Sequence, residues 1–259
     1  MDRSHLAWKT GLLATFVLGH LALSGIAGHR IEAEIKDYTA SSPVTYRARV
    51  LFTPADVKIN ATSPSDRRSE IIYNARRDIL RRVNHKEKNY QEMDIKTVGD
   101  LGETFKSAVA AVRKSMAGLA RENAPETATR LNVVATDDVQ RLCGLPIRRF
   151  AVQSGKTKIQ DVWIATWGQT GLKREDFGAV ERLARSYERI LSVSETGPVF
   201  QGLEYIPLRG ILRIDGFPLL VRHYKKNRLT YEIRFSLPVP AKVSATDFQL
   251  PGGYTRRWL

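Results

Sequence analysis

Residues able to do chemistry are sparse in this chain, and their spacing decides most of what it is not. Beyond residue 28 the histidines are His29, His85 and His223, and the one cysteine is Cys143. They lie far apart, with no cysteine or carboxylate at ligand spacing, so no metal site is expected. A single thiol cannot form an intramolecular disulfide, and Cys143 is expected as a buried, inert side chain. Acids that might work in pairs, Asp137–Asp138 and Glu103, read as turn and surface residues. Residues 167–173, WGQTGLK, hold two glycines and a lysine without the spacing of a phosphate-cradling loop, and read as a turn into a helix. Residues 192–197, SVSETG, supply no nucleophile elbow. His85 lies in a lysine-rich turn and reads as exposed. His223 lies beside Tyr224 in a strand and reads as a packing residue. No catalytic residue and no cofactor is assigned, and the chain is expected not to be an enzyme.

Charge narrows the partners. The 259 residues carry a formal net charge of +14 with a pI near 10.0. Such a surplus favours an anionic partner. The basic residues are dispersed and alternate with apolar ones, which reads as a solvated positive face or as attraction to an anionic membrane surface. Nucleic acid is not expected. The aromatics that might stack on bases, Tyr46, Phe52, Tyr231 and Phe235, share faces at period two, as core residues do.

The elements that must position these residues begin after a leader. Residues 1–10 carry Arg3, His5 and Lys9, and 11–28 follow as an uncharged stretch ending in small residues. Residues 1–28 read as a signal peptide, with Gly25 and Ala27 as its small-x-small site, or as an N-terminal membrane anchor. Either places residues 30–259 outside the cytoplasm, because the positive end stays inside. The expected location is periplasmic or otherwise exported, and inner-membrane anchored if the leader is not cleaved. Residues 29–43 read as a polar approach segment, and 44–259 as one β-rich domain.

Within that domain, 44–52 alternates strictly: Val44, Tyr46, Ala48, Val50 and Phe52 against Thr45, Arg47 and Arg49. Further strands are expected at 56–60, 69–74, 78–83, 131–135, 145–153, 157–166, 216–224 and 228–236. SGKT at 154–157 and Lys225–Asn227 read as hairpin turns. Two stretches change period. Leu101, Phe105, Val109, Val112, Met116 and Leu119 form one helical stripe over 100–121. Phe177, Val180, Leu183, Ala184, Tyr187, Ile190 and Leu191 form another over 174–191. The class is α+β, an antiparallel sheet with two covering amphipathic helices.

The order of motifs resembles a family of bacterial exported proteins known as domain of unknown function 4412. The carrying residues are the strand at 69–74, His85–Lys86 to Met93, Val162–Trp163, Gly216–Phe217–Pro218, and Phe248, Pro251, Gly253 and Tyr254 near the end. The resemblance covers most of 44–257. The family often has a cysteine after a Gly-Tyr pair, whereas here Cys143 precedes Gly144, so no role attached to that cysteine carries over. The family's layout is similar to LolA-type lipoprotein carriers. That similarity implies a curved antiparallel half-barrel whose helices cover an apolar cavity for acyl chains.

On that reading the chain binds or carries a lipid or other hydrophobic ligand. The alternative is an envelope protein–protein interaction or sensor module without a cavity. Apolar periodicity selects the candidate lining: Val50, Phe52, Ile72, Phe105, Val109, Val112, Met116, Trp163, Phe177, Leu183, Tyr187, Leu220, Tyr231, Ile233 and Phe235.

Overall fold

Alternation at period two becomes one wide sheet, antiparallel except at one edge, where the pairing is parallel. The computed structural model describes residues 26–62, 68–97, 100, 131–193 and 210–257, with side chains in the second helix described up to residue 186. Thirteen strands follow in chain order: β1 (Ile26–Asp37), β2 (Val44–Phe52), β3 (Asp56–Thr62), β4 (Arg68–Asn74), β5 (Ile79–Asn84), β6 (Asn89–Asp94), β7 (Leu131–Leu142), β8 (Leu145–Ser154), β9 (Thr157–Ala165), β10 (Phe217–Lys225), β11 (Arg228–Phe235), β12 (Val239–Val243) and β13 (Thr255–Arg257). Their order across the sheet is β13-β6-β5-β4-β3-β2-β1-β11-β10-β9-β8-β7, with β12 paired to β1. The sheet does not close on itself, and strand twist curves a sheet of this width.

The expected strands are all present, but two expectations need correction. The polar approach segment holds β1, the strand at the middle of the sheet. Its N-terminal part pairs with β12, its C-terminal part with β11, and its other edge with β2. Ile31, Ala33 and Ile35 point to the core while Glu32, Glu34 and Lys36 point away. The outward charges disguised the strand as a polar linker, and Arg49 now bonds Glu32 at 2.9 Å. Because β1 starts at Ile26, the sheet also takes in residues expected to belong to the leader.

The second correction concerns Cys143, which is exposed, not buried. Cys143 and Gly144 are the two central residues of the β7–β8 hairpin, and both have positive φ (52° and 78°). A two-residue turn of that hand sits at the surface by construction.

β11 and β12 lie along the same edge of β1, separated by a one-residue slip. Ala33 faces Phe235, while Arg30 faces Val239. The extra residue falls in Ser236–Leu237–Pro238, where Pro238 donates no ladder bond. Odd-numbered residues therefore change sides: Ile233 joins the main core, whereas Val243 joins a second cluster on the opposite face.

Helical structure is limited among the described residues. α1 (Trp167–Thr170) is a single turn. A 3-10 turn at Arg174–Phe177 then leads into α2 (Gly178–Val193). α2 buries Ala179, Leu183 and Ala184. The helix expected over 100–121 lies outside the described residues apart from residue 100. No helix among the described residues is long and apolar enough to cross a membrane.

Candidate functional site

The apolar face is built row by row. Tyr46 faces Ile35, Ile35 faces Ile233, Ile233 faces Val221, Val221 faces Val162, and Val162 faces Phe150. This row crosses six strands without a polar side chain. Its inner members are buried, while Tyr46 and Phe150 at its ends are only partly so. The adjacent row holds Ala61, Ala48 and Ala33, ending on Phe235. Ala33 and Ala48 are buried, and Ala61 is partly so.

One end of this face is closed by aromatic rings. Phe177, entering α2, meets Phe52 edge-on at 5.7 Å and Phe217 at 5.6 Å. Trp167 of α1 lies 5.6 Å from Phe177, and Phe217 lies 6.4 Å from Phe235. Such offset and edge contacts add to the area they bury. The Trp167 indole donates to Asp215 at 2.9 Å, which holds the ring over the group. Gly216 makes the approach feasible: a Cβ there would fall 2.4 Å from Ile164 and 2.5 Å from the Ala165 carbonyl.

Six of the predicted lining residues meet here: Val50, Phe52, Phe177, Leu183, Ile233 and Phe235. Tyr231 follows the same alternation along β11, facing His223 and Asp37 across the strands. One other is a correction. Ile72 turns away, into the second cluster with Val83, Val243 and Phe248. Trp163 and Leu220 are buried members of the main cluster, and they face each other across β9 and β10, out of phase with Val162 and Val221. They share their side of the sheet with Arg222, whose guanidinium lies 5.1 Å from the Trp163 ring. In DVWIAT and FPLLV both faces of the strand are apolar, so sequence alone did not assign a side. Phe105, Val109, Val112 and Met116, and the Tyr187 side chain, lie outside the described residues.

Sequence reasoning passed over Phe217, Trp167 and the alanines. Phe217 was read only as the start of the strand at 216–224, Trp167 as part of a turn into a helix, and alanine carries little weight in a periodicity count.

Beyond the aromatic group, the polar side of β9–β11 is ordered by charge. Glu232 accepts from Arg222 at 2.8 Å and from Arg234 at 2.9 Å. Burial alone would raise its carboxyl; those two bonds and charges outweigh it and hold it below the usual carboxylate range. Tyr224 donates to Asp161 at 2.9 Å, and burial, then this bond, push its hydroxyl up to about 12.

A second feature lies across β4, β5, β6 and β13. A groove of about 1020 Å³ is lined by Arg68, Arg82, Lys86 and Arg257, with Asn84 and Asn89. His85 also lines it, half-buried where exposure was expected. Its Nδ1 lies 3.0 Å from the Tyr254 hydroxyl and its Nε2 lies 3.5 Å from Glu70, which Lys58 approaches at 3.1 Å. His223 pairs with Thr230 at 2.9 Å within its own hairpin. Asp137 and Asp138 meet Arg148 and Arg149 at the β7 edge.

Comparison with known proteins leaves the family open. No family model matches the chain, and no curated protein matches it. Solved structures resemble it in layout only. An uncharacterized conserved protein from Thermus thermophilus aligns over 89% of this chain and 90% of its own, at 7% identity and a TM-score of 0.46. A chain of the Pseudomonas aeruginosa MucA/MucB complex aligns over 87% of this chain and 56% of its own, at 10% identity and a TM-score of 0.37. A LolA superfamily protein from Nitrosomonas europaea aligns over 88% and 91%, at 9% identity and a TM-score of 0.33. At these scores the likenesses carry no argument about ligand, partner or activity.

Proposed function

We propose that this chain is an exported, non-enzymatic envelope protein that binds or carries a lipid or another hydrophobic ligand on the apolar face of its open sheet. The observation that carries this reading is the continuous apolar row across six strands, whose margin stays open: Tyr46, Val50, Ala61, Phe150 and Phe235 are partly exposed beside the core, which suits an elongated apolar guest. The group around Phe177 offers rings and methyls, which contribute dispersion and burial without acid–base chemistry. The uncharged stretch at 11–28 behind basic residues supports export.

The test is native mass spectrometry of protein purified from its own envelope without detergent, followed by organic extraction. A stoichiometric lipid-sized adduct is expected, and Val50→Asp, which puts a charge at the partly exposed margin of the apolar face, is expected to reduce its occupancy. A clean apo mass, unchanged after incubation with host lipids, overturns the carrier reading.

A second reading, an envelope protein-interaction module, is favoured by β7. This strand is a sheet edge that exposes Val134 and Val139 at 40% and 60%. Unpaired strand edges invite pairing with another chain. Co-purification of a protein with the apo form would favour it.

A further inference from the structure

We propose that the groove between β4, β5, β6 and β13 is a binding site for a phosphate-bearing anion. The site is separate from the apolar face and stands or falls apart from the carrier reading.

Charge is the first argument. Arg68, Arg82, Lys86 and Arg257 converge on the groove, and Glu87 is the one carboxylate lining it among the described residues. Glu87 is taken by Arg257 at 2.9 Å. Arg68, Arg82 and Lys86 have no carboxylate partner among the described residues. Arg81, on the same strand as Arg82, by contrast meets Glu92 at 2.7 Å. Arg82 is moreover half-buried in β5. A partly desolvated guanidinium without a counter-charge is unfavourable, and a bound anion removes that penalty.

Geometry is the second. Planar guanidinium forks match two oxygens of a phosphate, which favours phosphate over a halide or a simple point charge. Asn84 is fixed by its Oδ1, which accepts from the backbone N–H of Lys86 and of Glu87 at 3.1 Å each. Its amide nitrogen is left as a donor. The volume of about 1020 Å³ exceeds what inorganic phosphate fills, so it leaves room for the organic part of a phosphomonoester or a phospholipid headgroup.

His85 at the groove wall lies 3.0 Å from the Tyr254 hydroxyl through Nδ1 and 3.5 Å from Glu70 through Nε2.

The test uses the full chain and two probes. Glycerol 3-phosphate is titrated by calorimetry. Flotation is measured with phosphatidylcholine vesicles, with and without phosphatidylglycerol. Saturable binding to the soluble probe identifies a free phosphate compound as ligand. Flotation only with phosphatidylglycerol, without soluble binding, identifies a headgroup. In either case Arg82→Gln and the exposed-turn variant Lys86→Gln are each expected to weaken binding about tenfold, which is about 1.4 kcal/mol. Lys226→Gln, the same charge loss in the β10–β11 turn, is expected to leave it unchanged. Circular dichroism checks that each variant folds. Absence of binding to both probes overturns the proposal. So does equal weakening by Lys226→Gln and Lys86→Gln, which would assign the effect to net charge alone.

Discussion

Tyr73 on β4 donates a 2.7 Å hydrogen bond to Asp78, five residues along the chain, and α2 reaches the same carboxylate oxygen through Ser186 at 3.2 Å. The β4–β5 turn is thereby tied to the helix above it, with Arg182 adding a bond to the Ala75 carbonyl at 3.4 Å. Tyr73→Phe is expected to cost about 1.5–3 kcal/mol, the range for a hydrogen bond to a charged group. Denaturant unfolding checks this. Burial first, and then the bond to Asp78, push the Tyr73 hydroxyl from 10.0 up to about 12. A raised folded value stabilises fully below pH 10 and is lost as pH rises through 12. A phenolate absorbance titration should show Tyr73 ionising late, together with loss of structure.

Glu232 makes the opposite prediction at low pH. Its carboxyl is held below the usual range in the folded chain, so its contribution is present above the unfolded value and is lost as pH falls through the lowered folded one. Glu232→Gln is expected to flatten the acid limb of the stability curve relative to wild type. Unfolding midpoints measured across an acid series decide this, and an unchanged limb would refute it.

Gly28 is a packing residue as well as a strand residue. A Cβ there would lie 2.9 Å from the Phe52 carbonyl oxygen and 2.9 Å from a Val243 methyl. The carbonyl belongs to the backbone and cannot swing aside. Gly28→Ala is expected to destabilise by roughly 1–3 kcal/mol, as overpacking does, although alanine suits most surface strands better than glycine. A thermal melt measures it. A stabilised variant would contradict the register of β1 with β12.

Phe177 should be the costliest side chain to truncate near α2, because it touches Phe52, Trp167 and Phe217 at once. Phe177→Ala is expected to lose about 3–5 kcal/mol. Phe177→Leu, which keeps most of the volume, should lose much less. Equal losses would mean that the ring geometry, not the volume, is what counts.

The sheet was legible wherever one face was apolar and the other polar. β2 and β11 were readable residue by residue for this reason, and so were the turns at Gly155 and at Lys226–Asn227. β1 was missed because its outward residues are charged and its inward run of Ile31, Ala33 and Ile35 is short, next to an apolar leader that drew the boundary past Ile26. Ile72 was misassigned because residues 71–73 are apolar on both sides of β4, so hydropathy does not say which of them faces the main core. The side of Leu220 is set by the bulge between Pro218 and Leu220, which leaves no mark on hydropathy. The basic groove was invisible for another reason. Arg68 and Arg82 lie on the neighbouring strands β4 and β5, but Arg257 joins them only by the parallel pairing of β13 with β6, a contact between distant parts of the chain.

The position of β1 also orders events in time. Its second neighbour is the strand pair at 228–243, and the Glu32–Ser236 contact joins residues 204 positions apart. While the chain is being made, the middle of the sheet therefore waits with one edge bare until residues 228–243 have emerged. Closure of such long loops is slow, and the partly assembled sheet exposes an apolar edge to neighbours. Synthesis rate and chaperone supply should accordingly limit its yield more than the stability of the finished fold does.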